Sequence, residues 1–355
     1  MDFKDFLELS PYDIRREEKQ KILLSYLKEA TIHHKENCKE YANYVNSFGY
    51  SEEATCIEDM PFLPIGVFKE LDIKSIKDED IFKVLTSSGT TGQQVSKVYL
   101  DHETASWQQK ALCKIMESYI GKNRVPFLIV DSPQVLKNRD LFSARGAAIL
   151  GFSMFASSVT YALNEDMELN WEAIEEFEKI SRERKTLIFG FTFLLWENLV
   201  KKLEEKNKKM QLSNCIILHG GGWKKLQNKA VDNDIYKKTM EKWLGTNKIY
   251  NYYGMAEQTG TIYMECEHGY LHTSTYSDIV IRDKETLQTV DYKKEGLIEV
   301  LSPFPRSYPG HILLTEDVGM IVGEDDCPCH RRGKYFKVTG RIKKAQIRGC
   351  SDTHG

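Results

Sequence analysis

The feature that most constrains this chain is a recurring unit: a short apolar run, a glycine- or serine-bearing exit, then an amphipathic stretch long enough for a helix. Residues 127–130 run into Asp131-Ser132-Pro133, residues 186–189 into Gly190-Phe191-Thr192, and residues 215–218 into His219-Gly220-Gly221-Gly222. Short runs that are apolar on both faces, separated by helical periodicity, mark buried parallel strands joined by crossover helices. The helical stretches read as 103–120, 171–185, 193–206 and 225–244, with one or two further helices wrapping the body over 11–48. Residues 62–69 read as extended, and 248–250 as a short strand. From 261 onward the pattern becomes strands alternating with turns, at 279–281, 296–301 and 311–314. The fold class expected is α/β, with a largely parallel sheet and a small β-rich subdomain closing a cleft.

A chain of 355 residues is long for one compact core, so two lobes or two domains are expected. Its net charge of −3, with acids and bases interspersed and no basic stripe, argues against nucleic acid as the main partner. Residues 1–16 lack the apolar run of a signal peptide, and nowhere do eighteen apolar residues follow one another. A soluble, cytoplasmic protein is the expectation. Eight cysteines in such a chain then point to metal or catalysis before disulfides. Cys38, Cys56, Cys113 and Cys215 stand singly in helical or apolar surroundings and read as core thiols.

The segment 85–100 is a loop between two strands. It holds Ser87, Ser88, Gly89, Thr90, Thr91 and Gly92, with Lys97 at its far end. Glycines let backbone N–H groups converge and hydroxyls add donors, which makes a nest for phosphate oxygens. Neither the P-loop nor the dinucleotide spacing is present. By itself such a run is more often a flexible connection, and Gly220, Gly221 and Gly222 read equally as a turn needing positive φ. A second constellation is Cys266-Glu267-His268-Gly269-Tyr270-Leu271-His272, followed by Cys327-Pro328-Cys329-His330. Cys266, His272, Cys327 and Cys329 can converge on a tetrahedral, structural Zn²⁺, with His268 or His330 as substitute ligands. The other reading of Cys327 and Cys329 is a redox pair.

The run Ser-Ser-Gly-Thr-Thr-Gly resembles the phosphate loop of adenylate-forming enzymes, the acyl-CoA synthetase, luciferase and peptide-synthetase group. Downstream, in the family's order, follow Tyr253-Gly254-Met255-Ala256-Glu257, then Asp317 in a Thr-Glu-Asp-Val-Gly segment, then Gly340-Arg341. The resemblance implies that ATP binds with its phosphates in the 87–92 loop and adenine between Gly220, Gly221, Gly222 and Tyr253. It also implies that Glu257 holds Mg²⁺ and Asp317 the ribose hydroxyls, while Arg341 belongs to the hinge before a mobile C-terminal domain. Lys97 and Lys343 are the candidate charge-stabilising lysines, and Gly190, Phe191 and Thr192 the candidate acyl-pocket residues. Similar Cys/His clusters occur in the phenylacetate–CoA ligase branch of that superfamily.

The tail Arg348-Gly349-Cys350-Ser351 sets a thiol among basic and small residues, which favours thiolate and access. With the rest of the chain it resembles the acyl-protein synthetases of the bacterial bioluminescence fatty-acid reductase complex, the LuxE family. The resemblance implies that a fatty acid is activated as acyl-AMP, carried on Cys350 as a thioester and handed to an acyl reductase partner. The domain organisation expected is an α/β core over 1–260, a zinc-binding β-rich subdomain over 261–340 and a tail over 341–355 in place of the mobile domain. A homo-oligomer is compatible with this reading. Two other readings remain at this point: an acyl- or aryl-CoA ligase, and a non-catalytic nucleotide-binding subunit.

Overall fold

Each apolar run becomes a strand buried along its whole length, because the sheet is covered on both faces. The computed structural model describes residues 2–50, 53–86, 95–137, 144–222 and 231–342. Its first seven strands are β1 (Leu63–Pro64), β2 (Lys83–Thr86), β3 (Lys97–Leu100), β4 (Val125–Val130), β5 (Ala156–Tyr161), β6 (Thr186–Phe191) and β7 (Cys215–Gly220). The other seven are β8 (Ile249–Tyr253), β9 (Tyr263–Glu265), β10 (Leu271–His272), β11 (Asp278–Arg282), β12 (Gly296–Leu301), β13 (Ile312–Glu324) and β14 (Lys334–Arg341). One sheet runs β11-β12-β13-β14-β10-β9-β8-β7-β6-β4-β5, with β1 beside β13. Strands β5, β4, β6, β7 and β8 are mutually parallel. Along the sheet from β8 through β9, β10, β14, β13 and β12 to β11 each successive pairing is antiparallel, while β1 joins β13 in parallel.

The expected change at 261 is therefore real, but the β-rich region is not a detached sheet. Strand β9 pairs directly with β8, Tyr253 opposite Tyr263, so both halves share one hydrogen-bonded ladder. The hairpin β2–β3 stands apart as a second sheet, and the Ser/Gly/Thr-rich residues between its strands lie outside the described residues.

Two of the helices beside the sheet begin at a side-chain acceptor. Asp101 takes the Thr104 N–H at 2.7 Å to start His102–Ile120, and Asn170 takes that of Ala173 at 3.2 Å to start Trp171–Glu183. The helix Asn233–Leu244 ends at Gly245, whose φ is +74°. The helical stretch over 192–205 contains a π-helical segment, Leu195–Val200. Residues 62–69 depart from expectation: Leu63–Pro64 alone is strand, and Val67–Glu70 makes one helical turn that buries Phe68. Cys38 and Cys215 are core thiols, whereas Cys56 and Cys113 are partly exposed. No described helix is long and apolar enough to cross a membrane.

The long helix Arg16–Asn37 is tied to the β-rich half by buried polar groups. Lys19 donates to the Thr273 hydroxyl at 2.8 Å and lies 3.7 Å from Asp278, which also faces Lys334 at 3.3 Å. Further along the helix, His34 stacks on His311 with ring centres 4.9 Å apart, both buried. His34 donates from Nε2 to the Pro305 carbonyl at 3.1 Å, so its Nδ1 accepts from Ser75 at 2.7 Å. Burial, then His311 and His33, hold His34 well below its ordinary pKa. Burial, then Arg306 and His33, push His311 down to about 3.

These folded-state values lie below the unfolded value of about 6.5, so below that pH the unfolded chain binds more protons. Stability is therefore expected to be lost as pH falls through 6.5, by up to about 1.4 kcal/mol per pH unit for each histidine. Urea midpoints at about pH 7 and about pH 5.5, above most carboxylate titration, test this. Equal midpoints would refute it, and His311→Gln should flatten the slope.

Candidate active site

The carboxyl ends of the parallel strands lie together, the edge at which open α/β sheets take ligands. Tyr253 closes β8 at this edge, and Asp317 lies in β13, 64 residues away in sequence. Here they meet: the Tyr253 hydroxyl donates to Asp317 Oδ2 at 2.8 Å. Arg341 is the register partner of Asp317 on β14, its Nε 3.9 Å from Asp317 Oδ1, while its Nη2 donates to Glu316 at 2.6 Å. Burial, reinforced by Asp317, raises the Tyr253 hydroxyl well above its ordinary pKa. It is a fixed donor, and its ring packs near Tyr263 and Phe336 at 5.9 and 6.2 Å.

Glu257 lies in the short helical turn Ala256–Gln258 and is 5% exposed. Its backbone is clamped from behind. The Tyr308 hydroxyl donates to its carbonyl at 2.9 Å, and Gln258 Nε2 donates to the carbonyls of Val300, Gly310 and His311 at 3.1, 2.9 and 3.2 Å. No described residue hydrogen-bonds or ion-pairs with the Glu257 carboxylate. A buried carboxylate without a protein partner suits a hard cation, which wants oxygen ligands.

The three glycines at the β7 exit do different jobs. A Cβ on Gly220 would sit 2.3 Å from the Tyr252 ring, and one on Gly221, at φ +72°, would sit 2.9 Å from Phe191. Their lack of side chains admits those two aromatics. A Cβ on Gly222 would meet nothing within 4 Å, so this residue presents bare backbone to open space. Gly190 is a packing glycine between Val130 and Leu195, whose atoms would lie 3.1 and 3.2 Å from an added Cβ. Gly254 similarly packs on Ile262 at 3.0 Å. Phe191 and Thr192 are buried, and the Thr192 hydroxyl faces the glycine turn. Lys97 is held at the outer surface by Asp72 at 3.1 Å. Ser87, Ser88, Gly89, Thr90, Thr91, Gly92, Lys343 and Cys350 lie outside the described residues.

The Cys/His constellation assembles from two turns. Cys266 and His272 flank the β9–β10 turn, where Cys266 N donates to the Tyr270 carbonyl at 2.9 Å and Gly269 adopts φ +78°. Cys327 and Cys329 come from the β13–β14 turn, where His330 N donates to the Cys327 carbonyl at 2.9 Å. The four ligand atoms all lie within 4.8 Å of one another, with Cys266 Sγ 4.0 Å from Cys327 Sγ and Cys329 Sγ 3.3 Å from His272 Nε2. A tetrahedral zinc with Zn–S near 2.3 Å sets ligand atoms about 3.8 Å apart, so the cage fits. His268 and His330 are exposed and stand outside it. Hydrogen bonding from Cys266, then contact with His272, lowers the Cys329 thiol below its ordinary range against its own burial.

The sequence signals missed the supports. Tyr308 fixes Glu257 from a segment some fifty residues on, and Gln258, next to Glu257, ties the turn to the same segment through the Gly310 carbonyl. Glu265 joins the metal-competent turn to β8 by accepting from Asn251 N at 2.8 Å and from Lys237 at 2.9 Å. Polar residues inside otherwise apolar stretches, such as Glu265 and Gln258, were the available signal.

Comparison with known proteins gives the family and the fold. Residues 3–354 match the family model of the acyl-protein synthetases, LuxE. The long-chain-fatty-acid–luciferin-component ligase of Vibrio harveyi is 21% identical over 354 residues, covering 96% of this chain and 89% of that one. The corresponding ligase of Aliivibrio fischeri is 22% identical over 349 residues, covering 96% and 90%. Among solved structures, 2-hydroxyisobutyryl-CoA ligase with 2-HIB-AMP and CoA superposes with a TM-score of 0.72 at 17% identity, over 94% of this chain and 70% of that one. Its open conformation gives a TM-score of 0.70, over 95% and 78%. At that identity the likeness establishes the fold, that of adenylate-forming ligases.

Proposed function

Since this chain belongs to the acyl-protein synthetase family, its members ligases, we propose that it activates a fatty acid with ATP and carries the acyl group on Cys350. The observation that carries this reading is the meeting of Tyr253 and Asp317 at 2.8 Å, with Arg341 beside them. Residues expected to hold one nucleotide are scattered in sequence yet adjacent in space.

In the first step a carboxylate oxygen attacks the α-phosphorus of ATP; the new C–O–P bond gives acyl-AMP and the departing group is pyrophosphate. The 87–92 loop donors and a lysine, Lys97 or Lys343, stabilise the charge that develops. Asp317 takes the ribose hydroxyls, held in place by Tyr253, while Gly222 offers backbone to the adenine. Glu257 is the residue that would hold Mg²⁺, which supplies charge neutralisation at the phosphates. In the second step the Cys350 thiolate attacks the acyl carbonyl, forming a C–S bond and breaking the C–O bond to AMP. The thioester then passes to an acyl reductase partner. Cys266, His272, Cys327 and Cys329 would hold a structural Zn²⁺: four ligands leave no open position for chemistry.

Intact-protein mass spectrometry after incubation with ATP, Mg²⁺ and a panel of carboxylic acids tests the whole reading. The expected result is a gain of one acyl mass, labile to hydroxylamine and absent in Cys350→Ser. Acyl-CoA formed when CoA is supplied, with no protein adduct, would replace this reading with a CoA ligase. A second expectation concerns the Tyr253 hydroxyl. Hydrogen bonds to charged groups are worth about 1.5–3 kcal/mol, so Tyr253→Phe should raise the KM for ATP roughly tenfold. The KM for the acid should hold, and a shift in both together would count against the ribose role of Asp317.

A further inference from the structure

Behind the glycine turn lies a buried pair that the reaction scheme leaves unused. His219 is the penultimate residue of β7 and 2% exposed; Thr192 follows β6 and is 7% exposed. The Thr192 Oγ1 is 2.9 Å from His219 Nδ1, 2.8 Å from the Gly221 carbonyl and 3.3 Å from that of Gly220. A threonine hydroxyl has one proton, and carbonyls can only accept. That proton goes to the Gly221 carbonyl, so His219 must donate from Nδ1. Burial, with Lys237 adding to it, pushes His219 down to about 3, and the ring is neutral at ordinary pH. The Tyr236 ring packs on His219 at 4.9 Å, and its hydroxyl donates to the Thr192 carbonyl at 3.4 Å.

The consequence runs through the peptide plane. In a trans peptide the carbonyl and the following N–H point in opposite directions. With the Gly221 carbonyl drawn inward onto Thr192, the Gly222 N–H must point away from Thr192, and a Cβ added to Gly222 would meet nothing within 4 Å. Burying a histidine is costly, and its Nε2 has no hydrogen-bond partner among the described residues. A pair kept there despite that cost has a specific task.

We propose that Thr192 and His219 are positioning residues for the nucleotide: together they lock the Gly221–Gly222 peptide so that its N–H is presented to the bound adenine. This rests on the reading that the β7 exit takes the adenine ring. Thr192 then acts on the nucleotide through backbone rather than lining the acyl pocket.

The test is calorimetric titration of AMP into wild type, Thr192→Val, Thr192→Ser, His219→Leu and His219→Asn, with a thermal melt of each. Asparagine can place an amide donor near the Nδ1 position, and serine keeps the hydroxyl. The expected result is that Thr192→Val and His219→Leu weaken AMP binding about tenfold or more, while Thr192→Ser and His219→Asn stay within about threefold. Fatty-acid KM in ATP–pyrophosphate exchange should not move. AMP affinity preserved in Thr192→Val would overturn the positioning role, as would equal losses in conservative and non-conservative variants tracking their melting temperatures. Failure of wild type itself to bind AMP would instead overturn the adenine reading, and this inference with it.

Discussion

Glu257→Gln should lower fatty-acid-dependent ATP–pyrophosphate exchange by at least about 100-fold while leaving the melting temperature unchanged or higher. The rate term follows from what a divalent cation does at a phosphoryl centre, which is worth several kcal/mol, with about 1.4 kcal/mol per decade of rate. The stability term follows from the surroundings. Glu257 is 5% exposed and no described residue pairs with its carboxylate, so glutamine removes a buried charge rather than a salt bridge. The backbone clamp by Tyr308 and Gln258 is untouched, because it acts on carbonyls and not on the Glu257 side chain. Activity and stability should therefore move apart. An exchange rate within tenfold of wild type would remove Glu257 from the cation site. A loss of activity accompanied by a large fall in melting temperature would make the residue structural.

The meeting of Tyr253, Asp317 and Arg341 could be anticipated because the candidate site is carried by short runs with fixed spacing. Tyr253, Gly254 and Glu257 lie within one strand exit, and Asp317 and Arg341 each sit in a recognisable local segment. The α/β layers were legible for the same reason: strands β4, β6 and β7 are short, apolar on both faces and separated by amphipathic helices. What stayed hidden is what depends on tertiary contact. Nothing local in Gly220 or Gly221 says that their missing side chains make room for Tyr252 and Phe191. Nothing local in Thr192 says that its hydroxyl bonds the glycine turn. Residues 62–69 were misjudged because burying Phe68 requires one helical turn that the Pro-Ile-Gly spacing does not announce. The His34–His311 stack likewise joins a helix to a loop more than 250 residues distant, beyond any window of periodicity.

Cys327→Ser is expected to lower zinc affinity by two to three decades, and the stability of the zinc-loaded protein by about 3–4 kcal/mol. The loss should fall short of the 10–16 kcal/mol of isolated zinc-finger peptides, because strands β9, β10, β13 and β14 are already paired in one sheet. A metal held there would add closure between the β9–β10 and β13–β14 turns, whose four candidate ligand atoms lie within 4.8 Å. Both turns lead into the elements proposed to bind the nucleotide. Glu265, next to Cys266, holds Asn251 of β8 two residues before Tyr253, and β14 runs from the second turn to Gly340 and Arg341. Removing zinc should therefore loosen Asp317 and Arg341 along with the turns, and AMP affinity should fall in the same chelator titration that lowers the melting temperature. Elemental analysis of the wild type should return one zinc per chain. A wild type that carries none, and that loses two hydrogens from Cys327 and Cys329 on mild oxidation, would make the pair a redox site instead. An unchanged melt after chelation would show that the paired strands hold these turns without a metal.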